Sequence, residues 1–79
     1  MEEIAGFVNG NVNRRKILEI LESKGPTDAG RISKIARLIP SATDKILGEL
    51  SSYNLIQKMD DKYSLTDEGK TAVDFIRAL

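Results

Sequence analysis

The stretch from Ser41 to Thr66, SATDKILGELSSYNLIQKMDDKYSLT, carries the strongest structural signal in the chain. Ser41 follows Pro40 directly and Asp44 lies three residues further on, and an N-cap side chain with a carboxylate in the first turn indicates the start of a helix. Mainly apolar residues recur at helical spacing, and with Thr43 they define the expected buried face: Thr43, Ile46, Leu47, Leu50 and Tyr53. The pattern predicts a helix over residues 41–53 with one buried face and one free face.

The residues after this helix predict a β-hairpin. Asn54 can adopt the left-handed conformation that ends a helix, and the chain then changes to an extended mixture of apolar and polar residues. The polar run Asp60-Asp61-Lys62 supplies a tight turn. Beyond it, Tyr63 and Leu65 alternate onto one side of a strand. We therefore predict a two-stranded hairpin over residues 55–66.

Apolar periodicity predicts further helices on both sides of this unit. A helix over residues 13–23 ends at Lys24-Gly25-Pro26, and the next runs from about 29 to 38 with Thr27 or Asp28 as its cap. Thr66 should cap a last helix, and residues 1–8 have the spacing of a short amphipathic helix. The expected core residues are Ile17, Leu18, Ile20 and Leu21; Ile32, Ile35, Ala36 and Ile39; and Ala72, Phe75, Ile76 and Leu79.

The composition restricts the functional class. A chain of 79 residues forms a single domain, here residues 1–79, with a small core. The absence of cysteine and histidine excludes disulfides, thiolate or imidazole metal sites, and catalysis by either residue. The remaining residue types do not supply a nucleophile, a general base and an orienting group with any specificity. We expect no enzyme, no cofactor and no metal.

Charge and hydropathy bear on location and partner. The acidic start MEEIAGFVNG lacks a signal-peptide apolar run, and no segment approaches the ~18 apolar residues of a membrane helix, so we expect a cytoplasmic protein with no membrane association. Lysine and arginine number 12, aspartate and glutamate number 12, and the formal net charge is zero. Nucleic-acid-binding domains are usually basic, so the local distribution of charge must decide.

The cations are most organised along one flank of the helix at residues 29–38, at Arg31, Lys34 and Arg37. These side chains would either bind phosphates beside a groove or simply form a solvated helix face. The hairpin offers Lys58 and Lys62 as further phosphate contacts, partly offset by the two aspartates of the turn.

The free face of the helix at 41–53 is poor in the side chains that read bases. Its candidate contacts to DNA are Ser41, Thr43, Asp44, Lys45, Gly48, Glu49 and Ser52. A glycine in mid-helix costs about 1 kcal/mol relative to alanine. Gly48 is therefore explained either by close packing of another helix or by close approach of the DNA backbone.

Two ordered motifs carry a family resemblance. SKIARLIPSATDKILGELSSYNLIQK contains an LxxLxxxxLI pattern at Leu47, Leu50, Leu55 and Ile56, and KYSLTDEGK contains a YxLTxxG pattern at Tyr63, Leu65, Thr66 and Gly69. Together they resemble the winged helix-turn-helix regulators of archaea and bacteria, including the MarR-like, ArsR-like and PadR-like groups. The chain departs from these at Asn54, where many relatives have glycine, and in the closeness of Ala36 to the next helix, which indicates a tight turn.

The resemblance implies a mainly α fold with a small β-hairpin (α+β), consisting of a three-helix core, a wing and a C-terminal helix. It also implies that the helix at 41–53 enters the major groove of double-stranded DNA, that the wing at 55–66 lies along the neighbouring backbone or minor groove, and that the terminal helices form a dimer. We therefore expect a sequence-specific DNA-binding transcription regulator. A winged-helix module that binds protein without DNA is the alternative, because the net charge is zero and the groove-facing helix is acidic.

A homodimer would double the few phosphate contacts of one copy. The candidate dimer contacts are Ile4, Phe7, Val73, Phe75 and Leu79. The alternative is a monomer in which these side chains close its own core.

Overall fold

The computed structural model describes residues 1–79 as five helices and a three-stranded antiparallel sheet. The elements are α1 (Glu2–Asn9), α2 (Val12–Lys24), β1 (Thr27–Asp28), α3 (Ala29–Ala36), α4 (Pro40–Ser52), β2 (Ile56–Met59), β3 (Lys62–Leu65) and α5 (Asp67–Ala78). The predicted fold class is confirmed, including the short helix at the N-terminus. None of the helices combines the length and apolar character needed to cross a membrane.

The core forms around α2, whose predicted inward face is confirmed. Ile17, Leu18 and Leu21 are almost completely buried, and apolar residues of all five helices and of the hairpin pack with them in one cluster. The cluster leaves one side of α4 uncovered, which is the feature that matters for function.

Helices α3 and α4 both end in Schellman motifs. In α4, the Asn54 N–H donates to the Ser51 carbonyl and the Leu55 N–H to the Leu50 carbonyl, while Asn54 has φ 58°. The predicted left-handed residue at this position is thus confirmed. In α3 the left-handed residue is Arg37, also with φ 58°, which makes the turn before α4 as tight as Ala36 indicated.

For the helix predicted at residues 29–38, which corresponds to α3, the prediction of two core residues is wrong. Ile35 is 41% exposed and Ile39 is 68% exposed. The left-handed Arg37 stops α3 at Ala36, so Ile39 no longer belongs to its apolar stripe and becomes the N-cap residue of α4. At the other ends of predicted stripes, Tyr53 and Leu79 are also largely exposed, at 46% and 76%.

The start of α4 differs from the prediction as well. The helix begins at Pro40, one residue earlier than expected, and Ser41 makes no capping hydrogen bond. Proline suits the first helical position because its fixed φ is helical and its missing N–H would have had no partner there. The other predicted caps are confirmed: the Asp28 carboxylate accepts from the Arg31 N–H, and the Thr66 hydroxyl accepts from the Gly69 N–H.

The wing is a hairpin of β2 and β3, extended to three strands by β1. Leu65 pairs with Ile56 and Lys62 with Met59, and the two-residue loop between them is Asp60-Asp61. Both aspartates have positive φ, 52° and 65°, as a type I′ turn requires. The third strand was not predicted; in it Thr27 pairs with Tyr63 and gives a strand order of β1-β3-β2.

Helix α5 is anchored tightly to the end of α4. The Thr66 hydroxyl donates to the Asn54 carbonyl, and the Thr66 N–H donates to the Leu55 carbonyl. Gly69 lies so close to Leu55 that a Cβ atom there would be 2.0 Å from the Leu55 carbonyl oxygen. The glycine of the YxLTxxG pattern is therefore explained by close packing.

Candidate nucleic-acid interface

The uncovered face of α4 is polar and contains no large apolar side chain. Of the predicted contacts, Ser41, Asp44, Lys45, Gly48 and Ser52 are all exposed. Ser51 is exposed on the same helix and was missed; its spacing of three residues from Gly48 was the available signal. We refer to these six residues as the α4 face.

Thr43 is not part of this face. It is fully buried, and its hydroxyl accepts a hydrogen bond of 2.8 Å from the Ser33 hydroxyl of α3. Its place in the predicted core is confirmed, so its prediction as a DNA contact is wrong. The bond satisfies two buried hydroxyls and ties the two helices of the helix-turn-helix together.

Glu49 lies at the edge of the α4 face and is bound to another helix. Its Oε1 atom is 3.1 Å from Nε of Arg14 in α2. This hydrogen bond lowers the pKa of Glu49, the desolvation of its carboxyl raises it, and the charges of Arg14 and Lys45 lower it further. The carboxylate is thus charged and already has a partner.

Gly48 has open space around it. A Cβ atom at this position would have no neighbour within 4 Å. Close packing of another helix of this chain, one of the two explanations considered from the sequence, is therefore excluded. The glycine leaves the α4 backbone accessible at the centre of the face.

Cations from three elements converge beside the helix-turn-helix. Lys24 at the end of α2, Arg31 in α3 and Lys62 in the wing line a hollow of about 130 Å³, together with Asp28. None of the three cations takes part in an ion pair. The structure thus brings two predicted phosphate contacts together and adds Lys24, which the sequence pattern did not single out because it lies at a helix end.

The other predicted phosphate contacts are also accessible. Lys34, Arg37 and Lys58 are exposed, and none of them is in an ion pair. The ammonium group of Lys58 lies 5.7 Å from the centroid of the Tyr63 ring, across the hairpin. Such a cation–π contact holds the side chain on one side of the wing.

The predicted dimer residues have different surroundings. Ile4, Phe7 and Phe75 are half-buried against the core, and Leu79 is exposed. Val73 is instead buried within the core of its own chain. The Phe7 ring stacks on the Tyr53 ring at a centroid distance of 3.7 Å, so α1 contacts the end of α4 directly.

Known proteins identify the fold and its class. A family model described as winged helix-turn-helix matches residues 14–79, whereas no curated protein sequence matches. Among solved structures, a MarR family transcription regulator is 25% identical with a TM-score of 0.80, covering 86% of this chain and 50% of its own. The YusO protein from Bacillus subtilis is 26% identical with a TM-score of 0.78, at coverages of 84% and 52%.

A third similar structure contains DNA. It is the Mycobacterium tuberculosis MarR family protein Rv2887 in complex with DNA. This protein is 17% identical to the chain with a TM-score of 0.77, and the match covers 82% of this chain and 51% of Rv2887. At that identity the similarity concerns the fold. The chain spans about half the length of these three proteins. The matched residues include both helices of the helix-turn-helix, the wing and α5, and the chain therefore belongs to the winged helix-turn-helix family.

Proposed function

We propose that this chain is the DNA-binding module of a cytoplasmic transcription regulator. In the proposed complex the α4 face lies in the major groove and the wing lies on the adjacent backbone. The observation that carries the proposal is the convergence of unpaired cations from α2, α3 and the wing at one hollow beside α3. Local positive charge of this kind can attract phosphates even when the net charge of the chain is zero. The similarity to MarR family proteins, one of them in complex with DNA, supports the same function.

Fluorescence anisotropy with a labelled random-sequence duplex tests the proposal. Each phosphate contact contributes about −0.9 to the slope of log K against log salt, so three contacts alone predict a loss of roughly 40-fold between about 50 and 200 mM salt. Failure to bind at about 50 mM salt would defeat the proposal. Such a result would favour the protein-binding alternative, which the zero net charge supports.

Gly48 is proposed as the place where DNA comes closest to the α4 backbone. We expect Gly48→Ala to stabilise the fold by up to about 1 kcal/mol, because alanine is the better helix former and its methyl group meets no atom of the protein. The same methyl group should weaken DNA binding by roughly tenfold, since it lies in the groove and an overpacked contact costs at least about 1 kcal/mol. Chemical denaturation and anisotropy measure the two effects, and a variant that bound DNA as well as the unmodified chain would contradict the proposed approach.

We further propose that two copies associate through α1 and α5, so that two α4 helices face one side of the DNA. One copy has few cations for phosphates, whereas a two-fold dimer doubles them and reads half-sites about 34 Å apart. The exposed Leu79 and the half-buried Ile4, Phe7 and Phe75 are the available apolar contacts.

Sedimentation equilibrium at micromolar concentration tests the assembly. We expect twice the mass of one chain, and Phe75→Glu should shift the population to monomer because a carboxylate cannot be buried between two copies. Leu79→Glu is a second variant that should also shift the population to monomer. Because Leu79 is 76% exposed, its replacement should leave the monomer folded. A monomeric mass for the unmodified chain would exclude the dimer.

A further inference from the structure

Arg14 joins three helices at one point. Its Nε atom donates to Glu49 Oε1 of α4 at 3.1 Å, and its Nη1 atom donates to the Phe7 carbonyl of α1 at 2.6 Å. The guanidinium carbon also lies 4.2 Å from the centroid of the Phe7 ring, which in turn stacks on Tyr53. The Arg14 side chain is therefore held in place from two sides, with its charge directed at α4.

The charge of α4 gives this arrangement a consequence for DNA binding. The helix carries Asp44, Lys45 and Glu49, which together make one net negative charge on an element that must approach phosphates. Arg14 compensates that charge. The other two ion pairs, Arg15 with Glu19 and Arg77 with Glu22, do not involve α4.

We propose that Arg14 is a positioning residue for DNA binding, which neutralises Glu49 and holds its carboxylate against α2 so that α4 can enter the groove without repelling the backbone. The inference rests on the proposed DNA-binding function. It replaces the expectation that Glu49 contacts DNA itself, because the carboxylate that would accept from a base already accepts from Arg14. The acidic character of α4 is thereby compatible with a nucleic-acid partner.

Four variants test the inference by duplex affinity at about 100 mM salt. Arg14→Met removes the charge but retains an unbranched side chain against Phe7. It leaves the charge of Glu49 uncompensated, which should cost no more than the loss of one phosphate contact, about 0.9 log units at this salt concentration. We therefore expect binding to weaken roughly three- to eightfold. Glu49→Gln should bind as tightly as the unmodified chain or more tightly. The double variant Arg14→Met/Glu49→Gln should regain affinity to within about twofold of the unmodified chain.

Arg15→Met is the matched control. Arg15 is the next residue of α2 and pairs with Glu19 rather than with α4, so its loss changes the net charge equally but should weaken binding less than twofold. Thermal melting of each variant establishes that it is folded at the assay temperature. Rescue by Glu49→Gln cannot arise from a structural role alone, because the second substitution does not restore the lost contacts of Arg14.

Three results would overturn the inference. A double variant as weak as Arg14→Met would make the residue structural, and weaker binding by Glu49→Gln alone would make Glu49 a DNA contact. Glu49→Gln keeps the inference falsifiable even if Arg14→Met fails to fold, since it changes only the charge and weaker binding would still overturn the inference. Absence of binding by the unmodified chain would instead defeat the proposed function, and the inference with it.

Discussion

Replacing Gly69 with alanine is expected to reduce the free energy of unfolding by about 3 kcal/mol or more, the upper range for an overpacked site. The added Cβ atom would lie 2.0 Å from the Leu55 carbonyl oxygen and 3.3 Å from Cδ2 of Leu65. The first neighbour is backbone and cannot rotate away, and the same carbonyl accepts the hydrogen bond from the Thr66 N–H. Helix α5 must therefore move away from the end of α4, and the bonds of Thr66 are lost with it.

Thermal and urea denaturation followed by circular dichroism measure this effect. For a domain of this size a loss of about 3 kcal/mol corresponds to a fall in Tm of roughly 12–24 °C. Gly48→Ala is the matched control, because the same substitution in a helix of the same protein meets no atom within 4 Å and should raise the Tm. Equal midpoints for Gly69→Ala and the unmodified chain would contradict the packing of α5 on Leu55.

The second large effect concerns the cations of α3. Replacing Arg31, Lys34 and Arg37 together by alanine should weaken binding to every duplex by roughly 100-fold or more at about 0.1 M salt, since three phosphate contacts contribute nearly 3 log units there. The slope of log K against log salt should become less steep by about 2.7. All three side chains are exposed, so the fold should tolerate the change.

A second triple variant separates local from total charge. Replacing Arg15, Lys70 and Arg77 by alanine removes the same number of cations from α2 and α5, none of which is a candidate DNA contact, and should have a much smaller effect. Lys45→Ala should act differently from both, because it should weaken preferred sites more than random sequence. Equal affinity for the α3 triple variant and the unmodified chain would show that these cations form only a solvated helix face.

Most of the fold could be predicted because its signals are local. The period of the apolar residues determined α2 and α4 to within a residue or two, and Asn54, Thr66 and the Asp60-Asp61 pair marked helix ends and a turn through their own conformational preferences. Strand β1 was missed because two residues cannot show a period, and Thr27 depends on Tyr63, far along the chain, for its pairing.

The exposed position of Ile39 could not be predicted for a related reason. The closeness of Ala36 to the next helix indicated a tight turn, but an arginine in the left-handed conformation is uncommon, so the sequence did not indicate that Arg37 ends α3. Once the helix stops there, the apolar stripe loses its last member. A glycine at residue 37 would have given the signal.

The candidate interface was predicted in part. The spacing of residues along α4 placed Ser41, Lys45 and Gly48 on the free face, as the structure has them. Helical spacing also placed Thr43 on the buried face, where it bonds to Ser33, but it could not show that Glu49, at the edge of the free face, bonds to Arg14, 35 residues earlier in the chain. Such pairs depend on how the helices pack.

The proposal that the α4 face and the wing bind DNA is tested most directly by amide NMR spectra recorded during titration with a duplex at low salt. We predict that the largest shifts fall on Ser41 to Ser52 and on the wing at Lys58 to Lys62, with smaller ones at Arg31 and Lys34. Amides of α5 facing away from DNA should remain unchanged. Shifts confined to α1 and α5, or none at any duplex concentration, would contradict the assignment of α4 as the DNA-binding helix.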